Sequence, residues 1–199
     1  MAGRLDGKRV AILATDGVEQ AELLQPLETL RNQGAKVEVI SPKSGQIQGF
    51  DHLTPDKKID VDTSLEMARA DDYDALVLPG GVANPDQLRI NDKALDFIRG
   101  FFDAGKPAGV ICHAPWLLIN AGLAEGRTLT SYKTIRQDLK NAGANVVDQE
   151  VVVDKGMVTS RDPNDLPAFC AKLIEEFGEG RHREQAQKAQ SSEQRTSLH

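Results

Sequence analysis

Between residues 6 and 177 the chain alternates between two hydrophobic periods. Short apolar runs, Val10–Ala14, Val37–Ile40, Ala75–Leu78 and Ala108–Cys112, are rich in β-branched residues and bounded by turn residues, which predicts buried strands. Stripes of helical spacing lie between them. Leu23, Leu24, Leu27 and Leu30 form one that stops at Gly34. Pro26 falls inside it and should kink the helix, unless the helix starts late enough to hold it in the first turn. Leu95, Ile98 and Phe102 stop at Gly105, and Leu117, Leu118 and Ala121 stop at Gly122. Leu166, Phe169, Cys170, Leu173, Ile174 and Phe177 make the cleanest amphipathic helix. The alternation predicts an α/β fold, a mostly parallel sheet covered on both faces. Residues 44–62 lack a helical period and predict a small extra hairpin. Residues 146–159 predict two strands about the turn Asp154–Lys155–Gly156.

The pattern fades at Gly178. The last 22 positions hold one large apolar residue, Leu198. The expected organisation is therefore a single domain over residues 1–177 and a polar tail over 178–199, floppy or a solvated helix. A total of 199 residues suits one domain. The net charge of −6 and pI near 5.3 argue against binding a phosphate backbone, so no strong nucleic-acid partner is expected. The N-terminal stretch has no uninterrupted apolar core, and no run approaches a membrane span, so the expected location is cytoplasmic. Two cysteines, Cys112 and Cys170, exclude a disulfide framework and fit a reducing compartment. There is no P-loop and no dinucleotide glycine motif, and the four histidines show no metal-ligand spacing with cysteine or each other. Neither cofactor nor metal is expected.

Ligands of an open parallel sheet bind beyond the carboxyl ends of its strands. Three turns should meet there: Thr15–Glu19, Pro79–Gly80–Gly81 and Cys112–His113–Ala114–Pro115. Cys112 ends a strand just before a helix, the position of a nucleophile elbow. A helix N-terminus would favour its thiolate, and His113 could carry the proton. The plainer alternative is a buried small cysteine beside a capping or surface histidine. Gly80 and Gly81 are either a tight turn or a place where backbone N–H groups hold an oxyanion. Glu19 is either a carboxylate favoured at a helix N-terminus or a carboxyl group facing the thiol. Cys170 lies on an apolar helix stripe and reads as core, and Trp116 as packing or a pocket wall.

The stretches AILATDGVEQAEL, DALVLPGG, PAGVICHAPWLLINAGLAEGRTLTSY and QEVVVDKGMVTSRDPNDLPAF, with their spacing, resemble the ThiJ/PfpI superfamily over about residues 7–177. Within it they resemble the PfpI-like branch of intracellular protease I and general stress proteins. The resemblance implies a class I glutamine-amidotransferase-like (flavodoxin-like) three-layer sandwich. It implies Cys112 as nucleophile, His113 in catalysis, Glu19 hydrogen-bonded to the thiol, and oxyanion donors around Gly81 and His113. It also implies an acid from a neighbouring subunit that orients the histidine, for which the aligned residue is Asp86. A homodimer or larger homo-oligomer follows, with contacts expected at residues 44–62 and 82–92.

The expected function is a cysteine-dependent stress-response hydrolase acting on reactive-carbonyl adducts, of the protein or nucleotide deglycase or cofactor-independent glyoxalase type. Its partners would be small-molecule or modified-protein substrates. One alternative is an oligomeric intracellular cysteine peptidase. Another is a non-catalytic redox sensor or chaperone that works through oxidation of Cys112.

Overall fold

The computed structural model describes residues 3–186. Strand β1 (Arg9–Leu13) is followed by the two-residue β2 (Val18–Glu19) and helix α1 (Gln20–Asn32). β3 (Lys36–Ser41) returns parallel to β1. The expected hairpin follows, with β4 (Gln46–Asp51) antiparallel to β5 (Thr54–Asp60), and β4 also pairs with β2. After β6 (Thr63–Ser64) come β7 (Ala75–Leu78), α2 (Ala83–Leu88), α3 (Asp92–Asp103), β8 (Ala108–Ile111) and α4 (Pro115–Asn120). The chain then forms β9 (Thr128–Leu129), α5 (Arg136–Asn141), β10 (Asn145–Val146), β11 (Val152–Asp154), β12 (Met157–Ser160) and α6 (Leu166–Glu179). The turn at Asp154–Gly156 joins β11 and β12 as an antiparallel pair, as the sequence predicts.

Seven strands share one sheet in the order β11-β12-β8-β7-β1-β3-β6, parallel throughout except for β11 at one edge. Such a sheet must be covered on both faces, and alternate side chains feed two cores. Ala11, Leu13, Leu76 and Leu78 meet Phe97, Phe101 and Phe102 of α3 and Leu117 of α4. Val10, Ile12, Ala75 and Val77 meet Leu23 and Leu30 of α1 and Phe169, Leu173 and Phe177 of α6. The result is the three-layer α/β sandwich. Gly109 in β8 lets α6 lie close to the sheet, because a Cβ there would run into Leu173 and come within 3.0 Å of Phe169 Cζ.

Of the two placements that the sequence leaves open for Pro26, the structure takes the interior one. Pro26 lies in the middle of α1, not in its first turn, so its missing N–H leaves the carbonyl of Glu22 without the usual helical donor. Packed chain continues past residue 177, where the apolar pattern fades. α6 runs on to Glu179, and the segment after Gly180 docks on the body. His182 N donates to the Gly105 carbonyl at 2.7 Å. Gln185 is fully buried; its amide donates to the Lys106 carbonyl and its Oε1 accepts from Arg127 Nη1 at 3.5 Å. Polar side chains satisfied by backbone groups hold this segment, a device that apolar composition does not reveal. The remainder of the expected tail, residues 187–199, lies outside the described residues. Among the described residues no helix is long and apolar enough to cross a membrane.

Candidate active site

The three turns expected at the carboxyl rim do converge. Asn84, buried in α2, ties two of them together: its Oδ1 accepts from Thr15 N at 2.8 Å, and its Nδ2 donates to the carbonyls of Pro79 and Gly80. β8 ends at Ile111, and Cys112 leaves it with φ of +65°, the left-handed region that side chains other than glycine rarely occupy. Its backbone is held on both sides. Cys112 N donates to the Ser160 carbonyl at 3.1 Å, and its own carbonyl accepts from Tyr132 N at 2.9 Å. Such a conformation costs about 1–3 kcal/mol and persists only where the surroundings enforce it. Glycine would relieve that cost at the loss of the sulfur.

The sulfur lies 3.1 Å from His113 Nδ1. The imidazole stacks on the Tyr132 ring at 4.7 Å, meets Trp116 edge-on at 5.3 Å, and places Nε2 3.4 Å from Thr134 Oγ1. If Nε2–H points to Thr134, Nδ1 remains an acceptor facing the thiol. Burial lowers the imidazole's affinity for a proton, which keeps it neutral. Tyr132 and Thr134 were not singled out from sequence, since they enter through the loop after β9 and carry no local signature.

The carboxyl group beside the thiol belongs to Glu22, not Glu19. Glu19 ends β2, and pairing of that strand with β4 turns its side chain toward the β4–β5 hairpin, where Oε2 accepts from His52 N at 2.9 Å. Glu22, in the first turn of α1, is fully buried and accepts from Gly80 N at 2.8 Å. It flanks the sulfur, and its Oε1 has no other aligned partner. Burial raises its carboxyl to about 8, so it carries a proton at neutral pH. The sequence did hold the signal: Glu22 shares the buried face of α1 with Leu23, Pro26 and Leu30, and an acid on an apolar stripe is seldom a bystander.

Gly80 and Gly81 also differ in role. Gly80 spends its N–H on Glu22 and is not free to hold an oxyanion. Gly81, at φ of +80°, directs its N–H to the sulfur, as does His113. Both donors favour the thiolate, but burial outweighs them, and the thiol is not lowered as expected from a helix N-terminus. Burial of a side chain only 6% exposed pushes the Cys112 thiol up, and above about pH 8, where Glu22 ionises, its charge adds to that. The helix beyond it, α4, has only six residues. Asp86 lies on the exposed face of α2, and among the described residues the second nitrogen of His113 faces a hydroxyl, not an acid. Trp116 is a wall: its Nε1 donates to Asp138 Oδ2 at 2.9 Å, and Arg89 covers its ring. Cys170 is core, as expected.

The protonated Glu22 has a consequence for stability. Its carboxyl binds a proton more tightly in the fold than the ordinary value of 4.5 allows, so this contribution is complete below pH 4.5 and is lost as pH rises through about 8. Compared with Glu22→Gln, the native protein should lose stability across that window, by at most about 1.4 kcal/mol per pH unit. Chemical denaturation midpoints against pH measure this, and a flat difference curve would mean that the carboxyl is ionised in the fold.

The DJ-1/PfpI family model matches residues 8–176. A protein of Thermococcus kodakarensis named as a deglycase is 44% identical over 166 residues, 83% of this chain and 97% of the relative. General stress protein 18 of Bacillus subtilis is 42% identical over 168 residues, covering 82% and 94%. The crystal structure of DJ-1beta from Drosophila melanogaster superposes with a TM-score of 0.79 at 29% identity, covering 93% of this chain and 95% of the other. The strained cysteine, its buried glutamate and the parallel sheet beneath them thus sit in a shared framework, and the chain belongs to the DJ-1/PfpI family.

Proposed function

We propose that the chain is a cysteine-dependent hydrolase of the cytoplasm that removes reactive-carbonyl adducts under stress, a deglycase-type activity. One observation carries the reading: a cysteine forced to φ of +65° with its sulfur 3.1 Å from a neutral imidazole nitrogen. The carbinol carbon of the adduct releases its thiol or amine, which takes the hydroxyl proton, and becomes a carbonyl; the Cys112 thiol proton passes to His113 Nδ1 as sulfur bonds to that carbon. The carbonyl π electrons move to oxygen, and the N–H groups of Gly81 and His113, which face the sulfur, hold that charge. Protonated Glu22 donates toward the sulfur without competing for the thiol proton. It also keeps a second negative charge out of a buried site. The proton on His113 then neutralises the oxyanion, a hydrogen moves from the bonded carbon to its neighbouring carbonyl carbon, and water cleaves the resulting thioester to lactate and free Cys112.

Peptide hydrolysis asks more of the same site, because an amide nitrogen must be protonated as it leaves. An imidazole backed by Thr134 stabilises the imidazolium that must carry this proton less than one backed by a carboxylate does. A second copy could supply an acid: Asp86 is exposed on α2, flanked by Val82 and Ile90, which are 49% and 82% exposed. The test measures lactate release from methylglyoxal-modified N-acetylcysteine beside cleavage of a fluorogenic peptide. Adduct release should dominate. Faster peptide cleavage would establish the peptidase reading, and inactivity on both would leave the redox-sensing one.

A further inference from the structure

Three potential ligands converge at the end of the molecule away from the thiol. Glu176 and Glu179 lie one turn apart on α6, and the chain turns back after Gly180 to bring His182 beside them. Two carboxylate oxygens and one imidazole nitrogen from these residues lie within 4.8 Å of one another. His182 Nε2 is 3.3 Å from Glu176 Oε2, has almost no solvent-accessible surface, and makes no aligned hydrogen bond. Glu176 is only 7% exposed, and among the described residues its carboxylate has no partner outside this cluster. An unmade hydrogen bond at a buried nitrogen is costly. The 3.3 Å spacing has another meaning, since two ligands of a tetrahedral ion bonded at about 2.0–2.1 Å are separated by about that distance. The imidazole is also held from outside the cluster. His182 N is bonded to the Gly105 carbonyl at 2.7 Å, and the ring fills the space that any side chain at Gly156 would occupy.

We propose that Glu176, Glu179 and His182 form a three-ligand site for Zn2+, with water as the fourth ligand, that fastens the C-terminal segment to α6. One nitrogen and two carboxylates suit a first-row cation, whereas calcium and magnesium favour oxygen alone. The site goes beyond the proposed thiol chemistry and stands apart from it. The stretch matched by the family model, residues 8–176, ends at Glu176, and Glu179 and His182 follow it. Histidine–histidine and histidine–cysteine spacing cannot reveal it, because two ligands are glutamates and the third follows the helix end.

The test titrates ZnCl2 into the full chain by calorimetry and follows thermal unfolding. Cys112→Ser and His52→Ala are present in every arm, because a lone thiol binds zinc and Glu19, Asp51 and His52 form a second cluster of ligand atoms. One ion should bind per chain and raise the melting temperature. His182→Ala and Glu179→Gln should each weaken binding by at least about tenfold. Glu179 is exposed, so Glu179→Gln tests the site without disturbing the fold. Absence of saturable binding, or unchanged affinity in both variants, would overturn the proposal. Either result leaves the reading of Cys112 untouched.

Discussion

Cys112→Ser is expected to lower adduct release by at least about 10³-fold while leaving the fold intact. The base available to the nucleophile is a neutral, buried imidazole with only a threonine hydroxyl behind it. That base can deprotonate a thiol, whose reference pKa is about 8.5, far more readily than an alcohol. A serine oxygen could still hydrogen-bond to Nδ1 and sit at the same backbone angles, so a loss of rate would report on the nucleophile and not on misfolding. Cys170→Ser is the matching control: that thiol lies in α6, in the layer shared with α1, and its loss should leave turnover in place. Turnover by Cys112→Ser above about a tenth of the native rate would remove the thiol from the mechanism, whatever its geometry.

The parts of this site that could be read from sequence are those set by local pattern. Cys112 was legible because strand period, thiol and helix follow within a few residues. The hairpin at residues 44–62 was legible because a missing helical period has few other meanings. Glu22 was not, because the decision between two acids three residues apart is made by β2. That strand has only two residues, and it exists through pairing with β4 across about thirty positions of chain. The same holds for Asn84, Tyr132 and Thr134, whose roles arise when separate loops meet. The thiol's protonation went the other way from expectation for a related reason. A helix end acts over one turn and is visible in sequence, whereas burial is a property of every layer around the sulfur. The docking of His182 and Gln185 was hidden because polar residues hold it.

Gly80→Ala should cost both stability and activity, although it adds a single methyl group. A Cβ there would lie 2.6 Å from Cys112 Cβ, 2.6 Å from Glu22 Oε2 and 2.9 Å from the Ile111 carbonyl oxygen. None of the three can yield cheaply. Ile111 is in the sheet, Cys112 is pinned at both its N–H and its carbonyl, and Glu22 has no solvent to move into. Relief must come from breaking the 2.8 Å bond between Gly80 N and Glu22 or from displacing the sulfur. Overpacking and the lost buried bond together should cost about 2–4 kcal/mol. A shift of even about 1 Å between carboxyl and thiol should slow turnover by about 10²-fold. Gly122→Ala separates crowding from backbone strain. Gly122 has φ of +74° with nothing within 4 Å of an added Cβ. It should therefore lose only about 1 kcal/mol for the left-handed backbone and keep its turnover. If Gly80→Ala matched Gly122→Ala in both denaturation midpoint and rate, the contact between carboxyl and sulfur would not be needed for the chemistry. If rate falls far more at Gly80 than at Gly122, the position of Glu22 against the thiol is itself part of the catalytic apparatus.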